Sequence, residues 1–237
     1  MVLMVSPKRT RLVLTLVAVG LTLASISGQF SKHLLGHGHL FGLVRLFNLD
    51  DEGNIPTWYA SSLLLLCSIL LVTIACTKKR EGDRYLLHWK ALALIFLMLS
   101  LDETAQIHES PNRALRVALN SGGVLYNPWV IFGSAFVLLL VVAYWRFLSD
   151  LPSPTRRLFL TAGFLYVGGA LGVEIVSGWY MALYGRENMT YAMIATVEEL
   201  LEMLGTVTFI YALMSYMSSH LGDVRVRMAD EGPSLPP

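Results

Sequence analysis

The sequence predicts an all-α, polytopic membrane helix bundle, with about six transmembrane helices and short interfacial helices in the outer loops. Of its 237 residues, 54% are hydrophobic and only 15% are charged, whereas soluble domains carry about 25% charged residues. The mean hydropathy is +0.56. Apolar stretches long enough to cross the hydrocarbon core, which takes about 20 residues of helix, recur along the chain. The net charge of +1 and the absence of a basic patch give no support to a nucleic-acid partner.

Six apolar stretches meet this length requirement, and polar or charged segments separate them. They are residues 11–30, 57–77, 90–109, 128–148, 158–183 and 190–216. We expect residues 1–222 to form a single transmembrane domain. The polar tail 223–237 ends in Pro-Ser-Leu-Pro-Pro and is predicted to be a disordered cytoplasmic segment. Because basic residues precede the first stretch, a cleaved secretory signal is the alternative interpretation of it.

The distribution of basic residues predicts the orientation in the membrane, since short cytoplasmic loops carry an excess of Lys and Arg. Threading six spans places most basic residues on one side. These residues are Lys8, Arg9, Arg11, Lys78, Lys79, Arg80, Arg84, Arg146, Arg156, Arg157, Arg225 and Arg227. Both termini are therefore predicted to face the cytoplasm.

The outer loops contain two segments that resemble helices lying in the membrane interface. Residues 39–47, His-Leu-Phe-Gly-Leu-Val-Arg-Leu-Phe, are predicted to form a short helix in the membrane interface. Residues 111–120 begin with a proline at the expected first helical position. Between the first of these segments and the second span, Asp50-Asp-Glu-Gly53 indicates a solvated turn.

Seven acidic residues lie within or at the edge of the third, fifth and sixth spans. They are Asp102, Glu103, Glu109, Glu174, Glu198, Glu199 and Glu202. No Lys or Arg lies within a predicted span except at its edges. A charge at the centre of a membrane helix costs at least about 2.5–3.5 kcal/mol. Seven such groups therefore require cations, protons or hydrogen-bond donors.

The depths of these acids in the bilayer follow from the helical rise of about 1.5 Å per residue. All three sets fall at overlapping depths in the outer half. On the third span Asp102, Gln106 and Glu109 share a face, and on the sixth Glu198 and Glu202 do. We therefore predict that acids of the three spans meet in one polar cavity, which opens outward or sideways into the outer leaflet. The small residues of Gly168-Gly-Ala-Leu-Gly172 allow the fifth span to approach closely.

The favoured interpretation of the acids is a metal site. Hard oxygen ligands with a few histidines suit iron, manganese, calcium or magnesium. The predicted ligands are Asp102, Glu103, His108, Glu109, Glu174, Glu198, Glu199 and Glu202, with His33 and His37 as additional candidates. The Glu-x-x-His pairs of di-metal helix bundles are missing, which weakens the case for iron.

The favoured function is a membrane-embedded metal-binding protein, acting as an oxidoreductase or hydrolase on a lipid-soluble substrate. A proton- or cation-coupled transporter is the alternative, because intramembrane carboxylates also carry protons and cations. In a third interpretation the acids are structural: they face the outer water, are protonated, or bond to neighbouring polar side chains. The sequence does not decide whether the chain is an enzyme, and a homo-oligomer stays open. Membrane lipids are the expected surroundings.

Three stretches carry a resemblance to known proteins. They are Asn54-Ile-Pro-Thr-Trp-Tyr59, Leu99-Ser-Leu-Asp-Glu103 followed by Ile107-His-Glu109, and Glu198-Glu-Leu-Leu-Glu-Met-Leu-Gly205. In these stretches the chain resembles a family of bacterial integral-membrane proteins with no established activity. The similarity extends from the second to the sixth span. It implies a location in the bacterial inner membrane and no particular chemistry.

Overall fold

The structure is a computed structural model that describes residues 5–36, 42–108 and 110–221. These residues form helices and connecting turns, with no strand among them. The helices are α1 (Pro7–Leu34), α2 (Leu43–Phe47), α3 (Ile55–Glu81), α4 (Leu86–Ala105), α5 (Asn112–Leu119), α6 (Trp129–Asp150), α7 (Ser153–Val167), α8 (Glu174–Tyr184) and α9 (Met189–His220). A π-helical turn, Gly168–Val173, joins α7 to α8 without a break.

Five helical segments are long and apolar enough to cross a membrane. They are Pro7–Leu34, Ile55–Glu81, Trp129–Asp150, Ser153–Tyr184 and Met189–His220. They correspond to the first, second, fourth, fifth and sixth predicted spans. The helix at the third, α4, is 20 residues long. It falls outside this group because any 18-residue stretch of it contains Lys90, Asp102 and Glu103, whereas each of the other five has such a stretch with at most two charged residues.

Helix α9 packs at the centre of the bundle against α1, α3 and α7. Its residues Ile210 and Leu213 belong to the same buried cluster as Cys67 and Leu71 of α3, and none of these four residues has accessible surface. Close packing of this kind holds membrane helices together through van der Waals contacts. The tight core therefore lies in the half of α9 that follows the acidic residues in sequence.

At each end of the bundle, polar contacts hold the turns in place. At one end Arg84 and Tyr85, in the α3–α4 turn, both bond to Asp150 at the end of α6. At the other end Asn54 caps α3, and its amide also donates to the carbonyl of Asn48 at 2.6 Å. The loop between α1 and α3 is thus folded over the bundle. Helix α2 shows that part of the first segment predicted as an interfacial helix is helical, while residues 37–41 lie outside the described ranges.

The end of α4 differs from the prediction. We expected a helix to residue 109, but α4 ends at Ala105, and Gln106 has a left-handed backbone with φ 55°. The Asp102 carboxylate accepts a hydrogen bond from the backbone N–H of His108 at 2.8 Å, which holds the chain in a turn. The predicted helical face shared by Asp102 and Gln106 is therefore wrong. The second segment predicted as an interfacial helix is helical as α5, which begins one residue later than expected, after Pro111.

Candidate functional site

A cavity of about 540 Å³ lies between α4, α6, α7, α8 and α9. At one end it is lined by six acids and a histidine: Asp102, Glu103, His108, Glu174, Glu198, Glu199 and Glu202. Most of its remaining lining is aliphatic or aromatic. Among the described residues that line it there is no Lys or Arg. The cavity therefore joins an acidic end, defined by these seven residues, to an apolar remainder.

The π-helical turn before Glu174 brings this side chain to α9. A Cβ atom added at Gly169 would lie 2.8 Å from the carbonyl oxygen of Glu198 and 2.9 Å from Cγ of Glu202. Only a residue without a side chain permits this approach. Single π turns of this kind occur often at functional sites, because they shift a helix relative to its neighbours. The close approach expected from the glycines is present at Gly169.

Glu174 is held by three hydrogen-bond donors. Its Oε1 accepts from Asn127 Nδ2 at 2.8 Å and from Trp129 Nε1 at 3.1 Å, and its Oε2 accepts from Ser177 Oγ at 3.2 Å. Glu198 of α9 lies within electrostatic reach of this carboxyl group. The three donors supply the hydrogen bonds that a carboxylate, which can only accept, requires.

Asp102 and His108 form a pair at the acidic end. Asp102 Oδ2 lies 2.8 Å from His108 Nδ1, and Asp102 Oδ1 accepts the backbone N–H of His108. The carboxylate fixes the imidazole orientation and places the proton of a neutral ring on Nδ1. The His108 ring also contacts the Trp129 ring edge-on, with centroids 4.6 Å apart. Trp129 therefore lies between the Asp102–His108 pair and Glu174.

Glu103, Glu199 and Glu202 complete the acidic end. Glu202 lies within electrostatic reach of Glu103 and Glu174, and Glu199 within reach of Glu202 and Glu103. All three keep part of their surface accessible, and all three line the cavity. Helices α7 and α9 meet closely here as well, because a Cβ atom at Gly205 would lie 2.6 Å from the Tyr166 backbone nitrogen.

The loop between α1 and α3 adds further acids at the rim. Burial raises the pKa of Asp50, while the guanidinium of Arg186 opposes this rise. Arg186 contacts Asp50 Oδ2 at 2.8 Å, and the Tyr191 hydroxyl donates to Asp50 Oδ1 at 3.1 Å. Glu52 lines the cavity itself, with its Oε2 buried. The segment interpreted as a solvated turn thus contributes one of the walls.

The structure brings together most of the residues that the sequence singled out. Seven of the eight main predicted ligands line the acidic end, and Glu109 lies outside the described residues. Of the additional candidates, His33 lies near Glu187 and is absent from the cavity lining, and His37 is not described. In the ranges that the structure describes, no group of three or more His, Cys, Asp or Glu side chains could hold a metal ion. The assignment of these residues as metal ligands stays a prediction.

Sequence reasoning missed four residues of the site: Glu52, Asn127, Trp129 as a hydrogen-bond donor, and Ser177. Only tertiary contacts reveal the role of Glu52. Ser177 could have been found from its spacing, since it follows Glu174 by three residues, about one helical turn. A signal existed for the other two as well, since Asn127-Pro-Trp129 starts a span at the same end as the acids. An amide and an indole N–H at that level are the donors that an intramembrane carboxylate requires.

Comparison with protein families gives one match. The family described as a domain of unknown function, DUF8692, matches residues 11–217. The chain belongs to this family. The match includes every residue of the acidic end. No curated protein and no solved structure matches the chain. DUF8692 thus confirms that the chain belongs to an uncharacterised family, and the function has to be argued from the cavity.

Proposed function

We propose that the chain is a six-span protein of the bacterial inner membrane with both termini in the cytoplasm, and that α4 is its third span. A helix of 20 residues is about 30 Å long, which matches the hydrocarbon thickness. Helix α4 packs along α3, with Ser68 Oγ donating to the Ala93 carbonyl and Ser61 Oγ to the Ser100 carbonyl, each at 2.8 Å. Its acids face a cavity instead of lipid, which lowers their cost in the bilayer.

We propose that the acidic end is a membrane-embedded acid–base site that acts on a lipid-soluble substrate. One observation carries this proposal: a set of titratable groups and an apolar compartment share a single cavity. Its volume of about 540 Å³ is that of a small-molecule site. Acid–base catalysis requires a base and an acid within hydrogen-bond reach of one bound molecule.

Residues of the acidic end have distinct roles in this proposal. Asp102 orients His108, whose Nε2 accepts a proton from the substrate. Glu198 supplies a proton to the substrate, while Trp129 and Asn127 keep the neighbouring Glu174 in place. With no Lys or Arg among the described lining residues, no fixed cation opposes this proton exchange. This chemistry is of the kind that hydrolases use.

Lipid analysis tests the acid–base function. Membrane lipids are extracted from bacteria that produce the wild-type chain, His108→Asn or Glu187→Gln, and are compared by untargeted mass spectrometry. Glu187 is the control, because it is an exposed acid in the α8–α9 turn outside the cavity. We expect at least one lipid-soluble species to differ between wild type and His108→Asn, with Glu187→Gln matching wild type. Identical lipid profiles in all three strains would contradict the proposal.

Cation binding is the second candidate, as a divalent metal site or as the cargo site of a carrier. The chemistry of the donors favours it: seven carboxyl groups, the six of the acidic end and Glu52, line one cavity without a fixed cation among its described residues, and hard cations prefer oxygen ligands. The side chains would have to move to surround one ion, since their present arrangement forms no ligand set among the described residues.

Metal analysis of purified protein separates the two candidates. Elemental mass spectrometry is applied to wild type and to Glu174→Gln, with Glu187→Gln as the control. Stoichiometric iron, manganese, calcium or magnesium that Glu174→Gln loses and the control retains would support the metal site. Metal content at the level of the buffer in all three proteins would reject a tightly bound metal.

A further inference from the structure

The apolar part of the cavity runs along nearly the whole of α6. The lining face of this helix includes Trp129, Gly133, Phe136, Leu140, Tyr144 and Phe147. Trp129 and Phe147 are separated by about 27 Å along the helix axis. This length is close to the hydrocarbon thickness of about 30 Å. The cavity is therefore an elongated groove with its acidic groups at one end.

The wall opposite α6 is apolar as well. Leu92, Phe96 and Leu99 of α4 line it, together with Phe159 and Gly163 of α7. Nothing lies within 4 Å of the position that a Cβ atom at Gly163 would occupy. This wall offers no hydrogen-bond partner to a polar molecule away from the acidic end, and it is suited to a hydrocarbon chain.

The groove is open to the side. Several of its lining residues stay exposed: Phe136 and Val141 of α6 are 44% and 50% exposed, and Leu160 and Phe164 of α7 are 55% and 79% exposed. Helix α6 buries only Val130, Tyr144 and Phe147. In a bilayer such an opening faces acyl chains, so a lipid-soluble molecule has direct access without passing through water.

We propose that the groove holds the hydrocarbon chain of a long-chain amphiphile, which enters sideways from the bilayer and places a neutral or cationic hydrogen-bond-donating head at the acidic end. This proposal rests on the acid–base site proposed above and names its substrate class. The six carboxyl groups accept hydrogen bonds from hydroxyl or ammonium heads. They repel phosphate and carboxylate heads, since like charges in a low-dielectric site are unfavourable.

Photo-cross-linking in lipid nanodiscs tests whether the groove is a binding site for a hydrocarbon chain, here called the chain site. The probe is hexadecylamine that carries a diazirine in its hydrocarbon chain. Cross-links are expected on the lining residues of α4, α6 and α7. Leu140→Trp fills the groove, and Leu139→Trp is the matched control because Leu139 is 63% exposed and outside the lining. The larger indole occupies the space of the hydrocarbon chain, so we expect Leu140→Trp to lose most of the cross-linking on these residues, with Leu139→Trp at the wild-type yield.

A second pair of variants guards against misfolding. Gly163→Leu fills the groove from α7, and Gly20→Leu on α1 is its control, since a Cβ atom at Gly20 also meets nothing within 4 Å. We expect Gly163→Leu to lower cross-linking as Leu140→Trp does. Cross-linking at wild-type yield in both groove-filling variants, or labelling spread evenly over the lipid-facing helices, would overturn the chain site.

Competition tests the head group. Unlabelled hexadecylamine and hexadecanol are expected to compete for the site, whereas hexadecanoic acid is expected to compete at least about tenfold less well. Equal competition by the acid would overturn the selectivity. The cross-linking experiment and the lipid analysis test the chain site and the acid–base function independently. Loss of cross-linking in Leu140→Trp, with unchanged lipids in the His108→Asn strain, leaves the chain site and removes the acid–base function.

Discussion

The two halves of α9 lie in opposite surroundings. Its later half packs against α1, α3 and α7, where Ile210, Leu213 and Val207 are almost fully buried. Its earlier half carries Glu198, Glu199 and Glu202 into a cavity whose far wall is the sparsely packed α6. One helix thus contributes both the core and the site. The difference suggests that stability comes from the α3 side of the bundle, and that the α6 side is kept open for a ligand at the expense of packing.

The largest expected effect comes from the core half. Leu213→Ala removes a fully buried side chain and should lower the free energy of unfolding by about 2–5 kcal/mol. Leu139→Ala on α6, where the side chain is mostly exposed, should leave it nearly unchanged. Thermal unfolding of both variants in the same detergent, followed by tryptophan fluorescence, measures the contrast. Equal losses would mean that α6 is as well packed as α9 and would remove the comparison.

The contact between the π turn and α9 should give the next largest effect. Gly169→Ala places a methyl group against the Glu198 carbonyl and Glu202, so it should destabilise the protein by about 1–3 kcal/mol. Gly172→Ala, in the same turn, meets nothing within 4 Å and is the control. The same unfolding measurement separates them. If Gly169→Ala is as stable as Gly172→Ala, the close approach of the two helices is incorrect.

In the half of α9 that carries the acids, a substitution is expected to raise the stability of the protein instead of lowering it. Glu202→Gln removes an acid that lies among Glu103, Glu174 and Asp102, and relieving this repulsion should stabilise the protein by about 1 kcal/mol. The control is Glu81→Gln, because Glu81 makes an ion pair with Lys78 at 2.7 Å outside the cavity. A higher unfolding temperature is expected for the first variant only. A clear loss of stability in Glu202→Gln would show that its carboxyl group holds the fold together.

The smallest effect should come from the exposed ion pair between Lys32 and Glu187, which are 2.7 Å apart. Lys32 lowers the pKa of Glu187 below its ordinary value of 4.5. The stabilisation is therefore fully present above the ordinary value and is lost as the pH falls through the lowered pKa. Because the pair is exposed, it should contribute at most about 0.5 kcal/mol. Glu187→Gln should differ from wild type by this amount at pH 7 and by nothing in strong acid. A difference in stability that persists in strong acid would mean that Glu187 stabilises the protein through packing and not through its charge.

The sequence by itself determined the helical class of the chain, its candidate membrane spans and most of the acids that meet in the cavity. Apolar length identifies candidate spans, and the fixed helical rise predicts depths along them without knowledge of any neighbour, so the acids of three predicted spans were expected to lie together. The glycines before Glu174 indicated which helix would approach α9. These inferences depend on local geometry, which is the same in every helix.

Only the tertiary structure decided which groups surround each acid. The bond from Asp102 to the His108 backbone ended α4 four residues before the predicted end, and so paired the carboxylate with the imidazole. The folded α1–α3 loop brought Glu52 into the cavity wall. Both outcomes depend on contacts between residues whose separation the helical period does not fix. The opening of the groove also depends on tertiary contacts, because it results from how little of α6 is covered by the other described helices.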